Sequence, residues 1–243
     1  MQTTSLNKII NEIGTIAGFL WDRGWAERNA GNISVNITGL ISSDEAEAFK
    51  YCSGGYFQSE YKNLSSKEIL VTTSGSRMRD LAKDTWKHLC ILRIDEEGRH
   101  YDKLSPDTQS EPTSELPTHL AVHDMLTRTG SSSNALLHSH VTELIALTHI
   151  KELCSTDALN QLLWSMHPEI KMFLPQGAGF IPYKESGSEE IARETLKILE
   201  NHPAAIWEKH GVLATGSTVE DALDTIDLLA KAAKIYLLIR SKY

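Results

Sequence analysis

The sequence predicts one layered domain of the α/β or α+β class, and three observations carry that expectation. Short β-rich runs concentrate in the middle of the chain, and helical patterns occupy both ends and alternate with the later runs. At 243 residues and 41% hydrophobic, the chain buries a substantial core without requiring a second domain.

The elements follow in order. Leu6, Ile9, Ile10, Ile13, Ile16, Phe19 and Leu20 recur at helical spacing and Gly24 follows as a stop, which predicts an amphipathic opening helix. In NISVNIT the apolar Ile33, Val35 and Ile37 alternate with Ser34, Asn36 and Thr38, the pattern of a half-buried strand. Residues 40–66 carry Ser, Gly and acids without a period and read as a variable surface insertion. EILVTT and LCILRID read as strands, with Gly98 marking a tight return.

A helix is expected from about Pro117, capped by Thr113 or Ser114. Residues 135–141 form the next apolar strand, and a helical stretch runs from Leu144 to Leu153. KMFLP and AAIWEK are expected strands. Ser186 with Glu189 and Thr218 with Asp221 look like capping boxes for the last two helices. In the final helix Val219, Leu223, Ile226, Leu229, Ala230, Ala233 and Leu237 fall on one stripe, a core face.

Composition excludes several function classes. With 24 Lys+Arg against 32 Asp+Glu the net charge is −8 and no basic cluster stands out, so neither nucleic acid nor an anionic membrane is an expected partner. Cys52, Cys90 and Cys154 form no CxxC pair and are odd in number, which fits a reducing compartment, the cytoplasm by default. No run of eighteen apolar residues or export signal is seen.

The residues richest in chemistry are three histidines in two places, His138 and His140 in LLHSHV and His210 in EKHGVL. On a strand the period of two puts both rings of His-x-His on one face. Three neutral imidazoles around zinc leave a coordination position open, the arrangement of a catalytic site. His119 and His123 are four apart on a helix, but the interleaved acid of HExxH is missing, so that pair reads as structural.

Two loops could present amides and hydroxyls to an anion. One holds Asn29, Gly31 and Asn32 ahead of a strand; the other holds Thr72, Thr73, Ser74 and Gly75 just after one. Thr113 and Ser114 sit at a predicted helix start, where the helix dipole also favours an anion. Glu115, between that start and a proline, reads as an exposed helix-end acid with no packing role. Beside a metal its role changes, because a carboxylate there can take a proton from the carbon next to a polarised carbonyl.

The segments GWAERNAGNISVNI, VTTSGSRMRD, PTSELPTHL, HSHVTELIALTH, LLWSMHPEI and WEKHGVLATG, in this order from about residue 15 to about residue 240, resemble the class II aldolase and adducin-like family, in its rhamnulose-phosphate branch. The resemblance implies a three-layer α/β/α fold with a central, mainly antiparallel sheet. It implies zinc-dependent, reversible cleavage of L-rhamnulose 1-phosphate, a phosphorylated ketose, to dihydroxyacetone phosphate and L-lactaldehyde. It also implies a homotetramer with active sites at subunit boundaries.

By motif match, His138, His140 and His210 become the zinc ligands and Glu115 the acid/base. Asn29, Gly31, Asn32, Ser74, Gly75, Thr113 and Ser114 match positions around the ketose and its phosphate. Glu169, in HPEI, falls where the family carries a second carboxylate near the first, and such a pair would shift the acid/base pKa upward. The chain departs from the family's best-known members in reading Thr73-Ser74-Gly75 where they have Gly-Ser-Gly, and in ending soon after its last helix where they continue for a few turns.

Two other readings stay open at this point. An epimerase or fuculose-phosphate aldolase of the same superfamily shares the fold and metal, but PTSELP and LLWS favour the rhamnulose branch. A non-enzymatic adducin-like interaction domain has the fold without the metal, and retention of all three histidines and Glu115 argues against it.

Overall fold

A computed structural model describes residues 5–41, 50–106 and 109–240 of the chain. The strands described are β1 (Asn32–Asn36), β2 (Lys50–Tyr56), β3 (Glu68–Thr72), β4 (Leu89–Ile94), β5 (His100–Ser105), β6 (Ala135–Ser139), β7 (Ala178–Ile181), β8 (Ala204–Trp207) and β9 (Gly211–Gly216). They form one sheet in the order β2-β5-β4-β3-β1-β6-β9-β8-β7, antiparallel except for the β7–β8 pair. The α-helices described are α1 (Ser5–Asp22), α2 (Met78–Leu81), α3 (Leu116–Thr129), α4 (Thr142–Leu147), α5 (Thr156–Met166), α6 (Pro168–Phe173), α7 (Glu189–Leu199) and α8 (Val219–Arg240).

The strands in the middle of the sheet are apolar on both faces, and the two faces separate into different clusters. Leu137, Val212, Ala214 and Ile206 join the large core built with α1, α4, α5 and α8, whereas Leu136, Leu213, Ala205 and Trp207 pack with Val122, Met125 and Ile191 of α3 and α7. Alternate side chains of one strand thus serve opposite helix layers. The architecture is the expected α/β/α sandwich around a mainly antiparallel sheet.

Most elements fall where the sequence places them, including α1, β3, β4, the Gly98 turn (φ +69°) and α8. The Thr218–Asp221 box is formed, Asp221 N–H donating to Thr218 Oγ1 at 3.0 Å and Thr218 N–H to the Asp221 carboxylate at 3.2 Å. Five expectations are corrected. KMF belongs to α6, because Pro168 sits in its first turn and the buried Ile170 and Leu174 are four apart; the strand comes later, at Ala178–Ile181. The cap of α7 is Ser188, which accepts the Ile191 N–H, and Ser186 is turned elsewhere.

Residues 50–56 of the supposed insertion are an edge strand. Its period is masked by a bulge between Cys52 and Gly55, where a side chain on Gly54 would run into the Tyr101 carbonyl. Residues 42–49 of that segment lie outside the described residues. Strand β1 is buried on both faces, with Ser34 as inaccessible as Ile33, since α3 covers the polar side. At the start of α3 the capping position is taken by Glu115, with Thr113 Oγ1 accepting the Glu115 N–H at 3.4 Å.

Candidate active site

His138 lies in β6 and His140 one residue beyond its end, where the His140 N–H donates to Trp25 O at 2.9 Å and holds the backbone as the strand finishes. His210 comes from the tight turn between β8 and β9. Lys209 ahead of it adopts a left-handed conformation (φ +58°) and donates its N–H to Thr148 Oγ1 at 2.9 Å. The three imidazoles meet edge to face, with ring centroids 5.2 Å (His138–His140), 4.9 Å (His138–His210) and 5.0 Å (His140–His210) apart. One nitrogen from each lies within 4.8 Å of the other two.

Outer hydrogen bonds fix which nitrogen faces inward. His138 Nδ1–H donates to Val212 O at 3.0 Å, leaving a buried Nε2 with no hydrogen-bond partner. His140 Nδ1–H donates to Glu27 Oε1 at 2.9 Å. A buried imidazole whose one nitrogen is anchored and whose other carries an unused lone pair has the form of a metal ligand with its orienting partner. Burial, only partly opposed by the nearby Glu115, pushes His138 down to about 3 and lowers His210 as well, keeping both in the neutral form a metal requires. The indole of Trp207 walls the site at 4.6 Å from the His138 ring and 5.0 Å from His210. These residues fit a metal ion bound by three nitrogens.

Glu115 is 4% exposed, not the exposed acid its sequence context suggested. Its Oε2 lies 3.5 Å from His138 Nε2 and its Oε1 3.4 Å from His210 Nε2. Ser186 Oγ–H donates to Oε1 at 2.7 Å and Asn32 Nδ2–H to Oε2 at 2.9 Å. Burial acts to raise the carboxyl, but His138, the Ser186 and Asn32 hydrogen bonds and His210 together outweigh it and bring the group to about 2. With His138 neutral above pH 3, the two donors are the part of that balance that persists at neutral pH. Within the single chain no second carboxylate is among these causes.

The anion loops are brought to the same place. Thr73 bridges Pro112, Thr113 N–H donates to Thr72 O at 3.1 Å, and Ile33 N–H donates to Thr72 Oγ1 at 3.1 Å, so three segments distant in sequence are tied together. Gly31 (φ +81°) packs so closely on β6 that a Cβ would lie 3.0 Å from His138 O, which reserves the position for glycine. The result is a cavity of about 300 Å³ lined by Asn29, Gly31, Asn32, Ser74, Gly75, Thr113, Ser114 and Glu115 together with the three histidines.

Glu169 is the exception. It opens α6, 3.8 Å from its neighbour His167 Nδ1, and lines a separate groove with Asp224, Asp227 and Lys231 of α8. Ile170 is buried in the main core and anchors α6 there, so no Glu115–Glu169 pair forms within the chain. Sequence reasoning in turn missed Glu27, Arg28 and Ser186, all of which line the cavity. Arg28 is held at φ +51°, and among the described residues two of the three non-glycine positions with positive φ, Arg28 and Lys209, border the site. A charged pair directly ahead of Asn29 was the available signal for the first two; Ser186 had none beyond its false resemblance to a helix cap.

Residues 11–237 match the model of the class II aldolase and adducin N-terminal domain family. The chain belongs to this family. A rhamnulose-1-phosphate aldolase of Bacteroides thetaiotaomicron is 39% identical over 96% of this chain and 86% of its own length. One from Mannheimia succiniciproducens is 32% identical over 91% of this chain and 82% of its own. Among solved structures, a sugar-phosphate aldolase of Thermotoga maritima superposes with a TM-score of 0.85 at 33% identity, covering 97% of this chain and 96% of that one. This class II aldolase is accordingly a lyase acting on a sugar phosphate. Among its described residues, no helix is long and apolar enough to cross a membrane.

Proposed function

We propose that the enzyme cleaves L-rhamnulose 1-phosphate reversibly to dihydroxyacetone phosphate and L-lactaldehyde, in the cytoplasm, with zinc held by His138, His140 and His210. The observation that carries this reading is the convergence of three histidines from two distant segments and one buried carboxylate on a single cavity rimmed by hydroxyls and amides. The names of the relatives at 39% and 32% identity support the choice of ketose.

Asn29, Gly31, Ser74, Gly75, Thr113 and Ser114 bind the phosphate and orient the sugar through the hydroxyl, amide and backbone groups they present to the cavity. Zinc, when bound, supplies Lewis-acid stabilisation for the negative charge that develops on substrate oxygen as the carbon–carbon bond breaks. Glu115 manages the proton at the adjacent carbon, delivering it after the aldehyde departs and removing it in the synthetic direction. Asn32 and Ser186 hold both carboxylate oxygens, so the proton-transferring group keeps one orientation between steps.

The active assembly in this reading is a homotetramer. Glu169 cannot serve its own subunit's Glu115, and it stands beside Met172 and Phe173, which are 69% and 61% exposed. An exposed apolar pair next to a stranded acid is what a subunit boundary would cover, and there Glu169 would face a neighbour's site.

The test is to incubate the purified protein with L-rhamnulose 1-phosphate and, separately, with L-fuculose 1-phosphate, following dihydroxyacetone phosphate release with and without a chelator. Release from the rhamnulose ester that stops on chelation and returns with zinc is expected. Release from the fuculose ester alone would move the enzyme to the other branch, and release from neither would overturn the reading. A solution mass of four chains is the accompanying expectation.

A further inference from the structure

The two histidines that no metal role absorbs, His119 and His123, are among the most deeply buried polar groups of the enzyme. They lie on the face of α3 that covers β1, and both meet Ser34: Ser34 Oγ is 2.6 Å from His119 Nδ1 and 2.8 Å from His123 Nε2. On its other side His119 Nε2 makes a short hydrogen bond with Asn32 Oδ1, and the amide nitrogen of the same Asn32 is the one that holds Glu115. Five side chains from two elements thus form one continuous line ending on the acid/base.

The direction of that line follows from its last link. With the Asn32 amide nitrogen on the carboxylate, its oxygen must accept, so His119 carries its proton on Nε2. Nδ1 then accepts from the Ser34 hydroxyl, whose oxygen in turn accepts from His123 Nε2–H. Every donor points toward Glu115. Burial lowers both imidazoles, His119 to about 4 and His123 to about 3, so both rings are neutral and each has one donor and one acceptor to spend.

We propose that His119 is a positioning residue for the acid/base, locking the Asn32 side chain so that its amide nitrogen, never its oxygen, faces Glu115. An asparagine amide is nearly symmetric in shape, and packing alone does not choose between its two orientations. The His119 Nε2–H joins the carboxylate in making the choice, and Ser34, which can donate to one ring while accepting from the other, lets His119 hold that tautomer. The flipped amide would set a carbonyl oxygen against the carboxylate and remove one of its two donors.

The inference rests on Glu115 being the acid/base of the proposed reaction, and its test separates the two. His119→Gln places an N–H close to the Nε2 position and keeps the donation to Asn32; His119→Asn is too short to reach Asn32 but can still meet Ser34. Losing a donor to a charged group predicts a kcat about 10- to 100-fold lower for His119→Asn, with KM within about twofold, and near-normal kcat for His119→Gln. Zinc content and melting temperature in the two variants should agree.

Equal losses in both variants, or none in His119→Asn, would overturn the proposal. Independently of activity, long-range proton–nitrogen NMR spectra of the intact protein should show His119 neutral and protonated on Nε2; an Nδ1–H tautomer refutes it. This arm decides the matter if the variants do not fold. If the wild type cleaves no sugar phosphate, the functional reading fails, and the spectrum alone then decides whether His119 orients Asn32.

Discussion

Glu115→Gln isolates the chemistry of the carboxylate from its geometry. The amide has the same shape, its oxygen can accept from Asn32, and its nitrogen can donate to Ser186 Oγ, so both contacts now at 2.9 Å and 2.7 Å have a counterpart. Exchanging charge-assisted hydrogen bonds for neutral ones costs about 1–2 kcal/mol of stability. The histidines offer their nitrogens without Glu115, so zinc stoichiometry should not change.

What disappears is the capacity to exchange a proton with carbon. Acid/base catalysis of this kind contributes roughly 10²- to 10⁴-fold, equivalent to about 3–5 kcal/mol of the barrier at 1.36 kcal/mol per decade. The assay that reads this step alone is exchange of the carbon-bound proton of dihydroxyacetone phosphate in D₂O, followed by NMR without any aldehyde present. An exchange rate close to that of the wild type at equal zinc content would remove Glu115 from the proton transfer and with it the mechanism argued above.

Two further outcomes are expected. Ser186→Ala deletes the donor on Glu115 Oε1, so its carboxyl should rise and kcat should fall about tenfold at unchanged zinc content; an unaltered kcat would show that the contact is incidental. The second concerns acid stability. The folded state holds His119 and His123 below the ordinary 6.5, chiefly by burial, so the unfolded chain binds protons that the folded one refuses. Stability should therefore decline as pH falls from 6.5 toward 4, by up to about 1.4 kcal/mol per pH unit for each ring. His123→Gln removes one such ring, and urea unfolding between pH 7 and 4.5 should show a shallower decline; identical acid limbs in the two proteins would contradict the argument.

What the sequence disclosed, and what it hid, divides along the range of the interaction. Elements whose pattern is local were legible: the stripe of α1, the apolar runs of β3 and β4, the reciprocal bonds of Thr218 and Asp221. The metal-ligand candidates were legible because His-x-His on a strand and one histidine in a turn need only the strand period to be recognised. Ser186 was hidden because a serine three residues ahead of a glutamate satisfies the capping pattern, and only the approach of its loop to α3 shows that its hydroxyl is committed to Glu115. The burial of Glu115 was hidden for the same reason, since both its donors and both its histidine neighbours come from other parts of the chain. What the sequence could not show for Glu169 is which cavity its helix faces: within the chain it lines a groove with α8, apart from Glu115.

The division of labour among the five histidines around this site was nevertheless open to a geometric argument. Two residues along a strand advance about 6.8 Å and four along a helix about 6 Å, so an alternate pair on a strand can lie against an i, i+4 pair on a helix with both contacts made. Asn32 and Ser34 are such a strand pair, His119 and His123 such a helix pair, and the hydrogen bonds show them matched in that way. The spacing that suggests a helical metal clasp is equally the spacing that meets a polar stripe on a strand. What separates the cases is whether the facing strand offers alternating polar residues, as N-x-S does here, or none. Where it does, the imidazoles are turned toward hydrogen-bond partners on that strand rather than toward one shared point. His138, with its orphaned Nε2 beside two other rings, is the opposite case, and the contrast separates three histidines that could hold a metal from two that are bonded to the strand they face.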